Sequence, residues 1–145
     1  MQIVLTRATV ANVADYVRIE KKVESRTYIA ITDPDEALKS IETSITYMIE
    51  KDGLPIGFIG YERKNPDYVN IIQVAVDPDF QGRGIANQAL TLVMEELKDV
   101  NRVDLETHPE NRARHLYESH GFKVEGYIEN YHGSCEPRFI MVRYA

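Results

Sequence analysis

The chain is predicted to fold as a mixed α/β (α+β) domain, a partly splayed central sheet of about six to seven strands flanked by about four helices. Three observations carry that prediction. Apolar residues alternate at period two in some stretches and recur at three- and four-residue spacing in others, so strands and helices interleave. The strand-like stretches crowd the start and the end, which is the mark of a mixed sheet. No repeat, low-complexity run or linker interrupts residues 1–145, and 145 residues is the usual size of a single domain.

Each element has its own signal. Gln2 to Thr6 reads as a short strand. Thr9 caps a helix from Val10 to about Lys22, with Val13, Tyr16, Val17 and Glu20 setting its faces. Lys22 to Thr32 reads as loop. Asp33-Pro34-Asp35-Glu36 joins an N-cap, a first-turn proline and a capping-box acid, opening a helix with Ala37, Leu38, Ile41 and Ile45 on one side. Thr46 to Glu50 and Ile56 to Arg63 form a hairpin about Asp52-Gly53. A strand, Val69 to Val76, runs into the turn Asp77-Pro78-Asp79. The next helix shows Leu90, Val93, Met94 and Leu97 at helical spacing. After a strand at Arg102 to Thr107, Pro109 opens a helix that Gly121 closes. Strands Lys123 to Tyr131 and Arg138 to Tyr144 end the chain.

Composition narrows the function. Hydrophobic content of 43% and charged content of 28% are those of a soluble globular protein. A net charge of −6 argues against nucleic acid and weakly favours cationic partners such as amines. Met1 to Ala8 holds no long apolar run and includes Arg7, so neither a signal peptide nor a membrane span is expected. The single Cys135 excludes an intrachain disulfide and fits a reducing compartment, which together predict a cytoplasmic protein. His108, His115, His120 and His132 lack metal-ligand spacing, so no metal is expected.

The most informative stretch is Gln81-Gly82-Arg83-Gly84-Ile85-Ala86, set between a strand and a helix. The first amides of a helix have no backbone partner and the helix dipole favours negative charge, so strand, glycine loop and helix start make an anion site. A P-loop would need Lys and then Ser or Thr after its last glycine, where Ile85-Ala86 stand. A dinucleotide fingerprint would begin directly after the strand. Asp104, 20 residues past Gly84, falls inside the apolar run Val103-Asp104-Leu105 rather than at a strand end.

The remaining pattern, Gln/Arg-x-x-Gly-x-Gly/Ala, is filled by Gln81, Gly84 and Ala86. It resembles the acetyl-CoA loop of the GNAT N-acetyltransferase superfamily. Val74-Ala75-Val76-Asp77-Pro78-Asp79-Phe80-Gln81 is similar to that family's fourth strand and turn, and Leu116-Tyr117-Glu118-Ser119-His120-Gly121-Phe122 to its late Leu-Tyr-Glu-x-x-Gly-Phe segment. The resemblance covers roughly residues 56 to 144. It implies acetyl-CoA as co-substrate, with Val74, Ala75 and Val76 holding the pantetheine arm by backbone hydrogen bonds and Gln81, Gly82, Arg83, Gly84, Ile85, Ala86 and Asn87 binding the pyrophosphate. The family has an Asn seven residues before the Tyr, where Glu110 stands here; Asn111, six before, is the candidate for its contact with the arm.

Acetyl transfer from a thioester needs a neutral amine and a proton for the departing thiolate. Tyr117, with an ordinary pKa near 10, matches the tyrosine that often serves as general acid in this family. Glu106 ends a strand where side chains meet the cleft of open sheets, and is the candidate base. Leu105-Glu106 and the Tyr117 helix resemble the subgroup that acetylates protein N-termini, ribosomal ones included. Glu129-Asn130-Tyr131-His132-Gly133 and Phe139-Ile140-Met141 resemble its acceptor-clamping hairpin, although Pro137-Arg138 replaces its acidic-alanine pair. Glu24-Ser25-Arg26-Thr27-Tyr28 falls in the loop that lines the family's acceptor site. The expected acceptor is an amine: a peptide N-terminus, or a small amine such as a polyamine, amino acid or aminoglycoside. A non-catalytic acyl-CoA-binding module is the alternative, and a homodimer stays open. Arg83, Arg112 and Arg114 default to solvated charges, and Cys135 has no partner for covalent catalysis.

Overall fold

A computed structural model describes residues 2–133 and 135–145, without the His132 side chain; the readings for Met1 and the His132 imidazole lie outside the described residues. Seven strands form one sheet: β1 (Val4–Arg7), β2 (Ile45–Lys51), β3 (Leu54–Asn65), β4 (Tyr68–Val76), β5 (Arg102–Thr107), β6 (Lys123–Ile128) and β7 (Arg138–Tyr144). Their spatial order is β1-β2-β3-β4-β5-β7-β6, antiparallel throughout except for the parallel pair β4–β5. Four α-helices are described: α1 (Val13–Val23), α2 (Pro34–Thr43), α3 (Ile85–Glu96) and α4 (Ala113–Ser119). No described helix is long and apolar enough to cross a membrane.

Local chemistry sets the boundaries. Thr9 and Asn12 cap each other's backbone in a capping box, and the chain passes through a 3₁₀ turn, Val10–Asn12, before α1 begins. Asp33 accepts from the Glu36 amide and Pro34 fills the first turn of α2. Asp52 and Gly53 both take positive φ, 52° and 78°, as the tight β2–β3 hairpin requires.

Alternation along the strands splits the core in two. Met48, Phe58 and Ala75 face α1 and α2, where Tyr16 stacks on Phe58 with ring centroids 4.1 Å apart. Ile49, Ile59 and Val76 face the other way, against Ile85, Leu90, Val93 and Leu97 of the α3 segment and Tyr117 of α4.

Several expected boundaries move. The helix expected from Val10 begins at Val13, and Ile45, expected on the face of the second helix, opens β2 because α2 ends at Thr43. The helix placed at Pro109 begins at Ala113, because Pro109 and Glu110 form a turn and the Asn111 side chain accepts from the Ala113 amide at 2.9 Å, fixing the start there. The strand expected to reach Tyr131 ends at Ile128. Tyr131 opens a 3₁₀ turn, and its amide donates to the Glu136 carbonyl at 3.0 Å, closing the β6–β7 loop.

Candidate active site

The site lies where the sheet opens. β4 and β5 pair for four rungs, Tyr68–Ile71 against Arg102–Leu105, and then part. Gln73 to Val76 keep β3 on one side but, among the described residues, have no strand on the other. Two cavities fill the gap.

The first, about 790 Å³, is lined by Val74, Ala75, Val76, Gln81, Gly82, Gly84, Ile85, Ala86, Asn87, Asn111 and Tyr117. Gly82 and Gly84 take φ of 78° and 74°, and a Cβ on either would meet nothing within 4 Å. The glycines are therefore demanded by backbone conformation, and the space beside them is free for a ligand. Gly84 sits at the N-cap of α3 in left-handed conformation, so the first-turn amides of Ile85, Ala86 and Asn87 are left without helical partners. An unpaired strand edge, an open glycine loop and a helix N-terminus fit a long ligand with an anionic end.

Individual side chains have further tasks. Gln81 donates from Nε2 to the Val76 carbonyl at 3.0 Å, folding the loop back on its own strand. Ile85 is a core residue, leaving its amide for the site. The Asn111 side chain donates from Nδ2 to Thr27 Oγ1 at 3.3 Å while its Oδ1 caps α4. Asn87 Oδ1 lies 2.8 Å from His120 Nε2. Arg83 does not line the cavity; its guanidinium sits 5.6 Å from the Phe80 ring centroid. Arg112 does line it, whereas Arg114 pairs with Glu118 at 3.0 Å.

The second cavity, about 470 Å³, is lined by Glu106, Thr107, His108, Tyr131 and Arg138, and by Thr27, Tyr28 and Gln73 opposite. Tyr117 and Asn111 line both cavities, so the two meet there. Tyr117 is 7% exposed, and burial pushes its phenol up to about 12. Glu106 is exposed at the end of β5 and accepts a hydrogen bond from the Tyr131 hydroxyl. Burial, followed by that carboxylate, pushes the Tyr131 phenol to about 12.

Behind this cavity Glu20 is fully buried and accepts three hydrogen bonds: from Tyr28 Oη (2.6 Å), the Ile31 amide (2.6 Å) and Gln73 Nε2 (3.0 Å). Burial outweighs these donors and pushes its carboxyl up to about 7. Gln73 also accepts from the Tyr16 hydroxyl. In front, Arg26 joins three loops, reaching Glu136 at 2.6 Å and Glu110 at 2.7 Å, with Glu136 also 2.7 Å from His108 Nε2.

The structure thus gathers Glu106, Tyr117 and Asn111 with the glycine loop. Sequence reasoning placed Arg26 in the acceptor loop and Glu20 on a helix face, but missed the ion pairs of the one, the buried hydrogen bonds of the other, Glu136, and the contact of Tyr131 with Glu106. The periodicity that marked Glu20 as a face residue was the one available signal. Asp104 is buried and structural, taking hydrogen bonds from Tyr68, Asn70 and Arg102.

Comparison with known proteins agrees with this architecture. No curated protein matches the chain by sequence. Among solved structures, the PaiA N-acetyltransferase of Thermoplasma acidophilum in complex with coenzyme A is similar over 100% of both chains, at 18% identity and TM-score 0.80. The ribosomal-protein-S18-alanine N-acetyltransferase of Escherichia coli is similar over 97% of this chain and 92% of its own, at 22% identity and TM-score 0.83. A spermidine N-acetyltransferase SpeG chimera from Vibrio cholerae and hSSAT is similar over 99% and 96%, at 19% identity and TM-score 0.83. At these identities the likeness is one of fold. The model of the acetyltransferase (GNAT) family matches residues 14–122, three quarters of the chain. The chain belongs to the GNAT acetyltransferase family.

Proposed function

We propose that the chain moves an acetyl group directly to a protein N-terminal amine in a ternary complex, with Glu106 as base and Tyr117 as acid. Enzymes of the family use acetyl-CoA; when bound, it supplies the thioester that the amine attacks. The residues that fit it are Gly82, Gly84, Ile85, Ala86 and Asn87, through their amides, for the pyrophosphate and the free edge at Val74 and Val76 for the arm.

The observation that carries the reading is the position of Tyr117, which lines the glycine-loop cavity and the Glu106 cavity together. With its phenol near 12, Tyr117 keeps its proton at neutral pH and holds it ready for a leaving sulfur. The exposed Glu106 carboxylate takes a proton from the incoming ammonium, and the Tyr131 hydroxyl orients it. Neutralising an amine of pKa about 8 at pH 7 costs roughly 1.4 kcal/mol, against roughly 4.6 for lysine, which favours an N-terminal acceptor for a single carboxylate base.

A small amine is the second reading, favoured by Arg26. Its pairs to Glu110 and Glu136 bind three loops together beside the acceptor cavity and suit a compact substrate. Acetyl-CoA-dependent thiol release against N-terminal peptides, lysine peptides, polyamines and amino acids tests both. Peptide turnover supports the first reading, and turnover of small amines alone replaces it with the second. Silence with coenzyme A binding intact supports a binding module instead.

A further inference from the structure

The acceptor-side cavity contains a cation that this chemistry leaves unused. Arg138 opens β7, is 4% exposed and lines the cavity. Its guanidinium lies over the Tyr131 ring, 4.8 Å from the centroid, and Nη1 donates to the neighbouring Pro137 carbonyl at 2.8 Å. The carboxylates around the cavity are engaged elsewhere. Glu136 serves Arg26 and His108, and Glu106 serves Tyr131. Among the described residues, none forms an ion pair with Arg138.

A buried charge without a counter-ion is costly, and an aromatic face offsets only part of that cost. A ligand carboxylate would complete it, because the guanidinium fork matches a carboxylate in plane and spacing. The register sets where that carboxylate would sit. Glu106 pairs with Ile140 across β5–β7, and Arg138 lies two residues from Ile140, so Glu106 and Arg138 leave the same face of the sheet. Two residues of strand span about 7 Å, which one amino-carboxylate and its two hydrogen bonds can bridge.

Resting on the reading that this cavity receives the acceptor, we propose that Arg138 is its specificity-determining residue and binds a carboxylate that the acceptor carries beside its amine. That group is either the α-carboxylate of a free amino acid or the side chain of an acidic first residue of a peptide.

Calorimetric titration of the coenzyme A-saturated protein with product pairs tests this directly. One pair is N-acetyl-L-alanine and N-acetyl-L-alaninamide; the other is an N-acetyl-Asp peptide and its N-acetyl-Asn twin, both amidated at the C-terminus. The acid is expected to bind at least tenfold more tightly than its neutral twin in one pair, about 1.4 kcal/mol, and the pair identifies the source. The ratio is expected to fall to about one in Arg138→Gln and to an intermediate value in Arg138→Lys. No preference for the acid in either pair, whether through equal binding or none, overturns the proposal, and this wild-type result decides even if the variants do not fold. Acid-selective binding without thiol release from any amine would keep the carboxylate site and remove the acetyl-transfer reading. Turnover of neutral and acidic amines alike would do the reverse.

Discussion

Burial acts on Tyr117 and Glu20 in the same direction, raising one phenol to about 12 and one carboxyl to about 7, with different consequences. For Tyr117 the effect keeps a proton in place, so Tyr117→Phe should retain coenzyme A affinity while the transfer rate falls by about 10²-fold or more, read by thiol release beside a binding titration. For Glu20 the effect is on stability. A carboxyl whose folded pKa exceeds its unfolded one holds its proton more tightly in the fold. Its contribution is complete below about 4.5 and is lost as pH rises through about 7. The difference is roughly 3 kcal/mol by linkage. Denaturant unfolding at pH 5 and pH 8 should therefore show the wild type losing stability toward the higher pH, and Glu20→Gln losing much less. Helical periodicity put this residue on a face of α1 but said nothing of its burial: its partners Tyr28, Ile31 and Gln73 meet it only after α1, the following loop and β4 have packed together.

Elements whose boundaries are decided by neighbouring residues were legible in the chain. Thr9, Asp33 and the Asp52-Gly53 turn cap or reverse the backbone within a few positions, and each does so in the fold. The start of α4 was misread because two signals compete there. A first-turn proline is permissive, whereas the Asn111 side chain actually takes up an amide. The Arg26 pairs, 84 and 110 residues apart in sequence, leave no local trace at all. Among the strands, β3 carries a strict steric demand. A Cβ on Gly57 would strike the Ala75 carbonyl oxygen of β4, in the stretch of that strand that lies beyond its pairing with β5. Gly57→Ala should lower stability by about 3 kcal/mol or more, or prevent folding, measured by thermal unfolding and soluble yield. Its effect on activity should follow displacement of the free β4 edge.

At the scale of the molecule, the fold class, the mixed sheet and the glycine loop were all readable from spacing, while the insertion of β7 between β5 and β6 was not. That order depends on which edges find each other in space, a long-range choice that no window of residues encodes. The arrangement leaves β1–β4 and β5–β7–β6 joined through four rungs of parallel pairing. Coenzyme A, lodged against β4, α3 and α4, would touch elements on both sides of that join. At about 100 times its Kd it should raise unfolding free energy by about 2.7 kcal/mol, seen as a concentration-dependent rise in melting temperature.

The same short join also makes the molecule a book with a narrow spine. The turn after α3 is exposed at Lys98 and Asp99 and lies between the last strand of one leaf and the first of the other. Severing the chain between those two residues would separate the leaves along their own fold line rather than across it. Fragments 1–98 and 99–145, mixed with coenzyme A, should recombine into a working whole, the ligand serving as the binding that holds the pages together; mixing without it should yield less recombined protein by native chromatography.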